Sequence, residues 1–103
     1  MEIFTYIAGT QFEDRQKYVW NLKVGQLLDL EREPENAFDA NAIKIIDKQG
    51  NQLGYVEKNV ACEIADNIDV GARYRVTVCE VKPIDYKGNV GADILIEEMY
   101  MPN

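Results

Sequence analysis

At 103 residues, with 47% hydrophobic and 28% charged side chains, the chain has the size and composition of one globular domain and is too apolar for intrinsic disorder. Eighteen acidic residues against eleven basic ones leave a net charge of −7, which opposes nonspecific attraction to nucleic acid or an anionic membrane, so any nucleic-acid site must be local. Met1 to Tyr6 lacks a basic region ahead of its apolar residues and no apolar run reaches membrane-spanning length, so a soluble cytoplasmic protein is expected, a single domain over 1–103.

Ile3 to Ala8 alternates and carries aromatic and β-branched side chains, which predicts a first strand closed by Gly9. Thr10 to Lys23 is polar with Phe12, Tyr18, Trp20 and Leu22 spaced through it, and reads as an ordered loop or a short helical turn. After Gly25, the residues Leu27, Leu28 and Leu30 begin a second strand that runs to about Glu33, where Pro34 removes a backbone donor. Ala42 to Ile46 and Gln52 to Val56 flank the turn-rich Asp47-Lys48-Gln49-Gly50-Asn51 and predict a hairpin, with Gly50 and Asn51 available for positive φ.

Apolar residues then recur three or four apart through Val60, Ala61, Ile64, Ala65 and Ile68, the spacing of an amphipathic helix over Lys58 to Asn67. Arg73 to Val81 alternates again, with Tyr74, Val76 and Val78 on one side, and Gly91 to Glu97 supplies its partner after the Lys87-Gly88-Asn89 turn. Met99 to Asn103 is expected to fray. About six short strands with one helix before the last hairpin predict a β-rich α+β fold, a small and partly closed β-barrel rather than a doubly wound sheet.

Function is expected in the stretch from Leu30 to Asn67, and above all in the loop from Glu33 to Asn41. Asn36, Asp39 and Asn41 have side chains suited to turn-making, the commoner use of such residues. Phe38 lifts the loop above that use, because an aromatic beside hydrogen-bonding groups offers a flat stacking face; its structural alternative is a buried staple. Tyr55 and Lys58 would place a hydroxyl and a cation beside a helix N-terminus, although Glu57 between them opposes an anion.

Cys62 and Cys79 lack CxxC spacing, and no histidine accompanies them, so buried free thiols are expected. Glu31, Glu33, Glu35 and Asp39 make only a weak metal cluster, and no metal or cofactor is expected. The chain contains no phosphate-cradling glycine loop and no nucleophile elbow, and without histidine the usual acid/base group is missing, so an enzyme is not expected.

The segments Arg32-Glu33-Pro34-Glu35-Asn36, Phe38-Asp39, Asn41-Ala42-Ile43 and Leu53-Gly54-Tyr55-Val56 closely resemble the HIRAN domain. The resemblance continues through Asn59-Val60-Ala61 to Ala65 and includes Ile7-Ala8-Gly9, covering the chain to about Gly71; the last hairpin matches in pattern alone. It implies an OB-like barrel and a noncatalytic module of DNA repair. In that family such domains precede Swi/Snf-type ATPases, where the best-understood members hold the 3′-hydroxyl end of single-stranded DNA, or occur as short stand-alone prokaryotic proteins, which this chain resembles.

On that resemblance Phe38 stands where the family stacks an aromatic on a terminal base, and Asp39 where an acid recognises the terminal hydroxyl. Asn36 falls at a polar position near the end nucleotide, Lys58 at a phosphate contact, and Tyr55 where DNA-end-binding members can have histidine. Gln11 and Phe12 occupy the places of a cation and a tyrosine, so stacking is kept at Phe12 and a charge is lost at Gln11. The expected partner is a single-stranded DNA end, with a separately encoded helicase or nuclease alongside. The rival reading is a protein-interaction module whose acidic surface steers basic partners. A third is a homodimer formed through an exposed strand edge.

Overall fold

In the computed structural model, which describes residues 1–99, the elements run β1 (Glu2–Ala8), α1 (Gln16–Val19), β2 (Leu27–Arg32), β3 (Ile43–Ile46), β4 (Gln52–Val56), α2 (Lys58–Asp69), β5 (Arg73–Val81) and β6 (Ala92–Met99). The expected strands and helix all form, α2 runs two residues beyond the predicted Asn67, and the segment read as loop or helical turn contains the single helical turn α1. Met99 ends β6 in ordered pairing, while the rest of the expected fraying tail, 100–103, lies outside the described residues.

All the strands pair antiparallel, and the ring β1-β4-β3-β2-β5-β6 closes on itself, where only partial closure was expected. Two strands turn the corners. Glu2–Tyr6 of β1 pair with β6 while Ile7 and Ala8 pair with β4, and Leu27 and Leu28 of β2 pair with β5 while Asp29–Arg32 pair with β3. Each corner strand thereby belongs to both halves of the barrel, so every strand has a partner on both sides among the described residues, which disfavours the third reading, a homodimer paired through an exposed strand edge.

The β1–β4 seam depends on Gly54. A Cβ there would lie 2.3 Å from the Ala8 carbonyl oxygen and 2.7 Å from Ile7 Cγ2, so only a residue without a side chain lets the strands approach this closely. Inward-pointing residues of every strand, among them Ile7, Leu28, Ile43, Leu53, Val76 and Ile96, fill one core. Helix α2 adds Ala61, Ile64 and Ala65 to that core, the face its apolar spacing predicts, and Val19 and Leu22 enter from the α1 segment. Glu57 caps α2 by accepting a hydrogen bond from the Asn59 amide at 2.9 Å. Among the described residues no helix is long and apolar enough to cross a membrane.

Candidate nucleic-acid interface

Where β1 ends, Gly9 adopts φ +73°, and the Phe12 amide closes the turn by donating to the Gly9 carbonyl. A side chain at Gly9 would press on Arg15 Nη1 at 3.0 Å, so the glycine serves both the turn and the group behind it. Arg15 is buried; its Nη1 donates to the Gly9 carbonyl at 2.8 Å and its guanidinium lies 5.2 Å from the centre of the Tyr55 ring. Glu13 Oε1 stands 3.6 Å from Arg15 Nη2.

The 33–42 loop is pinned by side chains. Asn36 Oδ1 accepts hydrogen bonds from the amides of Phe38 at 2.8 Å and Asp39 at 3.1 Å, and Asp39 Oδ1 accepts from the Asn41 amide at 2.9 Å. Glu33 anchors this arrangement from below: its Oε1 accepts from Asn36 Nδ2 at 2.6 Å and from the Tyr55 hydroxyl at 2.8 Å, while Lys44 Nζ lies 3.1 Å from Oε2. These contacts, Asn36 first, then Tyr55, then Lys44, hold the Glu33 carboxyl down at about 2. At the far end of the loop Arg32 donates to the Ala42 carbonyl at 2.8 Å and grips Asp69 of α2 with two hydrogen bonds, which raises the Arg32 pKa and lowers that of Asp69.

The outcome is an ordered loop that holds Phe38 97% exposed. The ring is therefore no buried staple, and its position is fixed by the polar network beneath it. Phe12, 59% exposed, Asn36, Phe38, Asp39, Tyr55 and Lys58 line one cleft of about 670 Å³, together with Glu13 and Arg15. Two carboxylates face two cations there, so the cleft is balanced and the acidic excess of the chain lies elsewhere. Of the carboxylates Glu31, Glu33, Glu35 and Asp39, which suggested a metal cluster only weakly, Glu33 is engaged by Asn36, Tyr55 and Lys44, and no metal-holding group of acids or cysteines occurs among the described residues.

Gln11 is the exception. The turn at Gly9 sends its side chain away from Phe12, into a separate depression lined by Lys82, Pro83, Tyr86 and Lys87 of the β5–β6 connection. Tyr55 and Asn36 reach the cleft with their polar atoms already engaged, as organisers of the loop. Arg15 was not legible in the sequence, because only the reversal at Gly9 brings it behind Tyr55, and no spacing pattern marks such a turn. Glu33 was visible only as one acid in a run; its three-residue offset from Asn36 is the signal that points to a side-chain bridge. Cys62 is exposed on α2 rather than buried, and Cys79 is half-buried at a bulge in β5, where burial raises its thiol pKa.

A family model described as "HIRAN domain" matches residues 1–97. Among curated proteins, a Fanconi-associated nuclease 1 homolog from Arabidopsis thaliana is 39% identical over 67 residues, covering 65% of this chain and 7% of that protein. A helicase-like transcription factor from Oryctolagus cuniculus is 43% identical over 44 residues, 43% of this chain and 4% of that one. This chain thus spans less than a tenth of the length of these relatives. The crystal structure of the HIRAN domain of human HLTF superposes with a TM-score of 0.76 at 20% identity, covering 94% of this chain and 74% of that one. A protein from Lactobacillus plantarum superposes with a TM-score of 0.72 at 24% identity, covering 96% and 98%.

Proposed function

Because the chain belongs to the HIRAN domain family, we propose that it is a noncatalytic module, acting in the cytoplasm, whose cleft receives the 3′-hydroxyl end of a single DNA strand. The observation that carries this reading is Phe38, an aromatic ring 97% exposed yet held by a loop pinned at Asn36 and Glu33. Exposing a phenyl ring in water is unfavourable by itself, and a base stacked on it recovers roughly 1–3 kcal/mol regardless of sequence. Phe12 offers a second ring in the same cleft.

Asp39 would supply the selectivity. A carboxylate accepts a hydrogen bond from a terminal hydroxyl but repels a terminal phosphate, so it favours an end over an internal position. Lys58 and Arg15 would neutralise the backbone phosphate that follows, with Arg15 replacing the charge that Gln11 does not bring to the cleft. Tyr55 and Asn36 act here by fixing Phe38 and Asp39, and a separate helicase or nuclease would use the recognised end in a repair or processing reaction.

The test is fluorescence anisotropy of a short single-stranded oligonucleotide at low salt, with either a 3′-hydroxyl or a 3′-phosphate. Binding of the hydroxyl end alone is expected. Equal affinity for both removes the role of Asp39, and binding of neither overturns the nucleic-acid reading.

A further inference from the structure

A closed barrel ordinarily turns polar side chains outward and apolar ones inward. On the β2-β5-β6-β1 arc this alternation fails in one row. Leu27 pairs with Thr77, Thr77 with Leu95, and Leu95 with Phe4, so the four residues stand in register across four strands. Their neighbours along β2, β5 and β6, Leu28, Val76, Val78, Ile94 and Ile96, are buried, and Ile3 on β1 is partly buried against the core, which puts the row on the outer surface. Phe4 is 72% exposed in mid-strand with Tyr6 exposed two residues along, and Leu27 is exposed at the other end of the row.

The rows on either side are charged. One is Glu2 and Glu97 with Arg75; the other is Asp93 and Glu80 with Lys82. Both cations are already engaged, Arg75 by Glu97 at 3.1 Å and Lys82 by Asp93 at 2.8 Å, so four carboxylates against two cations leave the borders acidic. An apolar strip between acidic rails disfavours DNA and anionic lipid, and it disfavours a second copy of this chain, whose rails would meet like charge. Strand addition is closed off by the continuous ring.

We infer that this outer face is a protein-docking surface, distinct from the cleft, whose occupant is an amphipathic segment of another protein with an apolar row flanked by lysine or arginine. Its anchor is Phe4, with Leu95 and Leu27 continuing the contact and Glu2, Glu80, Asp93 and Glu97 matching the basic flanks. No residue of this row lines the cleft, so docking leaves the cleft open.

The experiment is an NMR titration of the full chain with a synthetic leucine–lysine peptide of helical amphipathic pattern, against a scrambled peptide of the same composition. Saturable amide shifts confined to Phe4, Tyr6, Thr77 and Leu95 are expected. Phe4→Ser should weaken binding about tenfold, with the remaining spectrum intact. A second variant, Glu2→Lys at an exposed position, should weaken it and flatten its salt dependence. Equal binding of the scrambled peptide, or shifts spread over the acidic surface, overturns the inference, as does a doubled mass in solution that Phe4→Ser abolishes. A short single-stranded DNA added to the complex should leave these shifts in place, whether or not the cleft binds it; displacement of the peptide by DNA also counts against a separate surface.

Discussion

Replacing Glu33 by glutamine removes one negative charge while keeping a carbonyl oxygen that can accept from Asn36 and Tyr55. In the native protein the Asn36 amide, the Tyr55 hydroxyl and the Lys44 ammonium bring this carboxyl from an ordinary 4.5 down to about 2. A depression of that size is worth at most about 3 kcal/mol of folding free energy at neutral pH. The side chain is 26% exposed, so solvent screening brings the contribution to about 2 kcal/mol. Because the folded value is the lower one, the stabilisation is complete above pH 4.5 and is lost as the pH falls through about 2. Glu33→Gln should therefore unfold in urea with about 2 kcal/mol less stability at pH 7, equivalent to roughly 10 °C in melting temperature for a domain of this size. The gap between the two proteins should shrink to about half or less by pH 3. A gap that stays constant from pH 7 to pH 3, or one absent at pH 7, would refute the claim that the Glu33 charge holds the loop.

Phe38→Ala should change stability by no more than about 0.5 kcal/mol, because the ring is almost wholly exposed. On the proposed function it should weaken binding of a 3′-hydroxyl strand by roughly 5- to 150-fold in the anisotropy titration; loss of folding, seen by circular dichroism, would contradict the exposure. Gly54→Ala should cost several kcal/mol, on the order of 3 or more, since its Cβ meets the Ala8 carbonyl oxygen at 2.3 Å; a variant with an unchanged urea midpoint would disprove the close seam. In the folded protein Cys62 should react with a thiol reagent well before Cys79, whose thiol is half-buried and raised in pKa by that burial. Equal labelling rates under native conditions would contradict this order.

Much of the architecture was legible because it rests on local pattern. Alternation through Arg73–Val81 and the three-to-four spacing of Ala61, Ile64 and Ala65 each report burial on one face, and each element formed there. Closure was less legible, because it depends on β1 and β2 each changing partners midway and on the Gly54 contact with Ala8, which are relations between distant residues. In the cleft, Phe12, Phe38, Asp39 and Lys58 were indicated by residue type and resemblance, and they do share one lining. Gln11 lies outside this lining, in a separate depression past the positive-φ turn at Gly9, and its residue type carries no sign of that. The organising role of Glu33, and Arg15 altogether, escaped notice since their work is done on other side chains, and a sequence does not print hydrogen bonds across 22 residues such as that from Tyr55 to Glu33.

The antiparallel pairing of β1 with β6 sets Glu2 opposite Glu97, and the Glu98 amide donates to the Met1 carbonyl at 3.1 Å, so the backbone enters and leaves the barrel side by side. A short bridge between these ends, with a new opening cut in the 47–51 turn, should give a circularly permuted chain with the same ring of strands. Conversely, a fold whose two ends emerge together can be spliced into a surface loop of a host protein without prising apart the strands that flank the insertion.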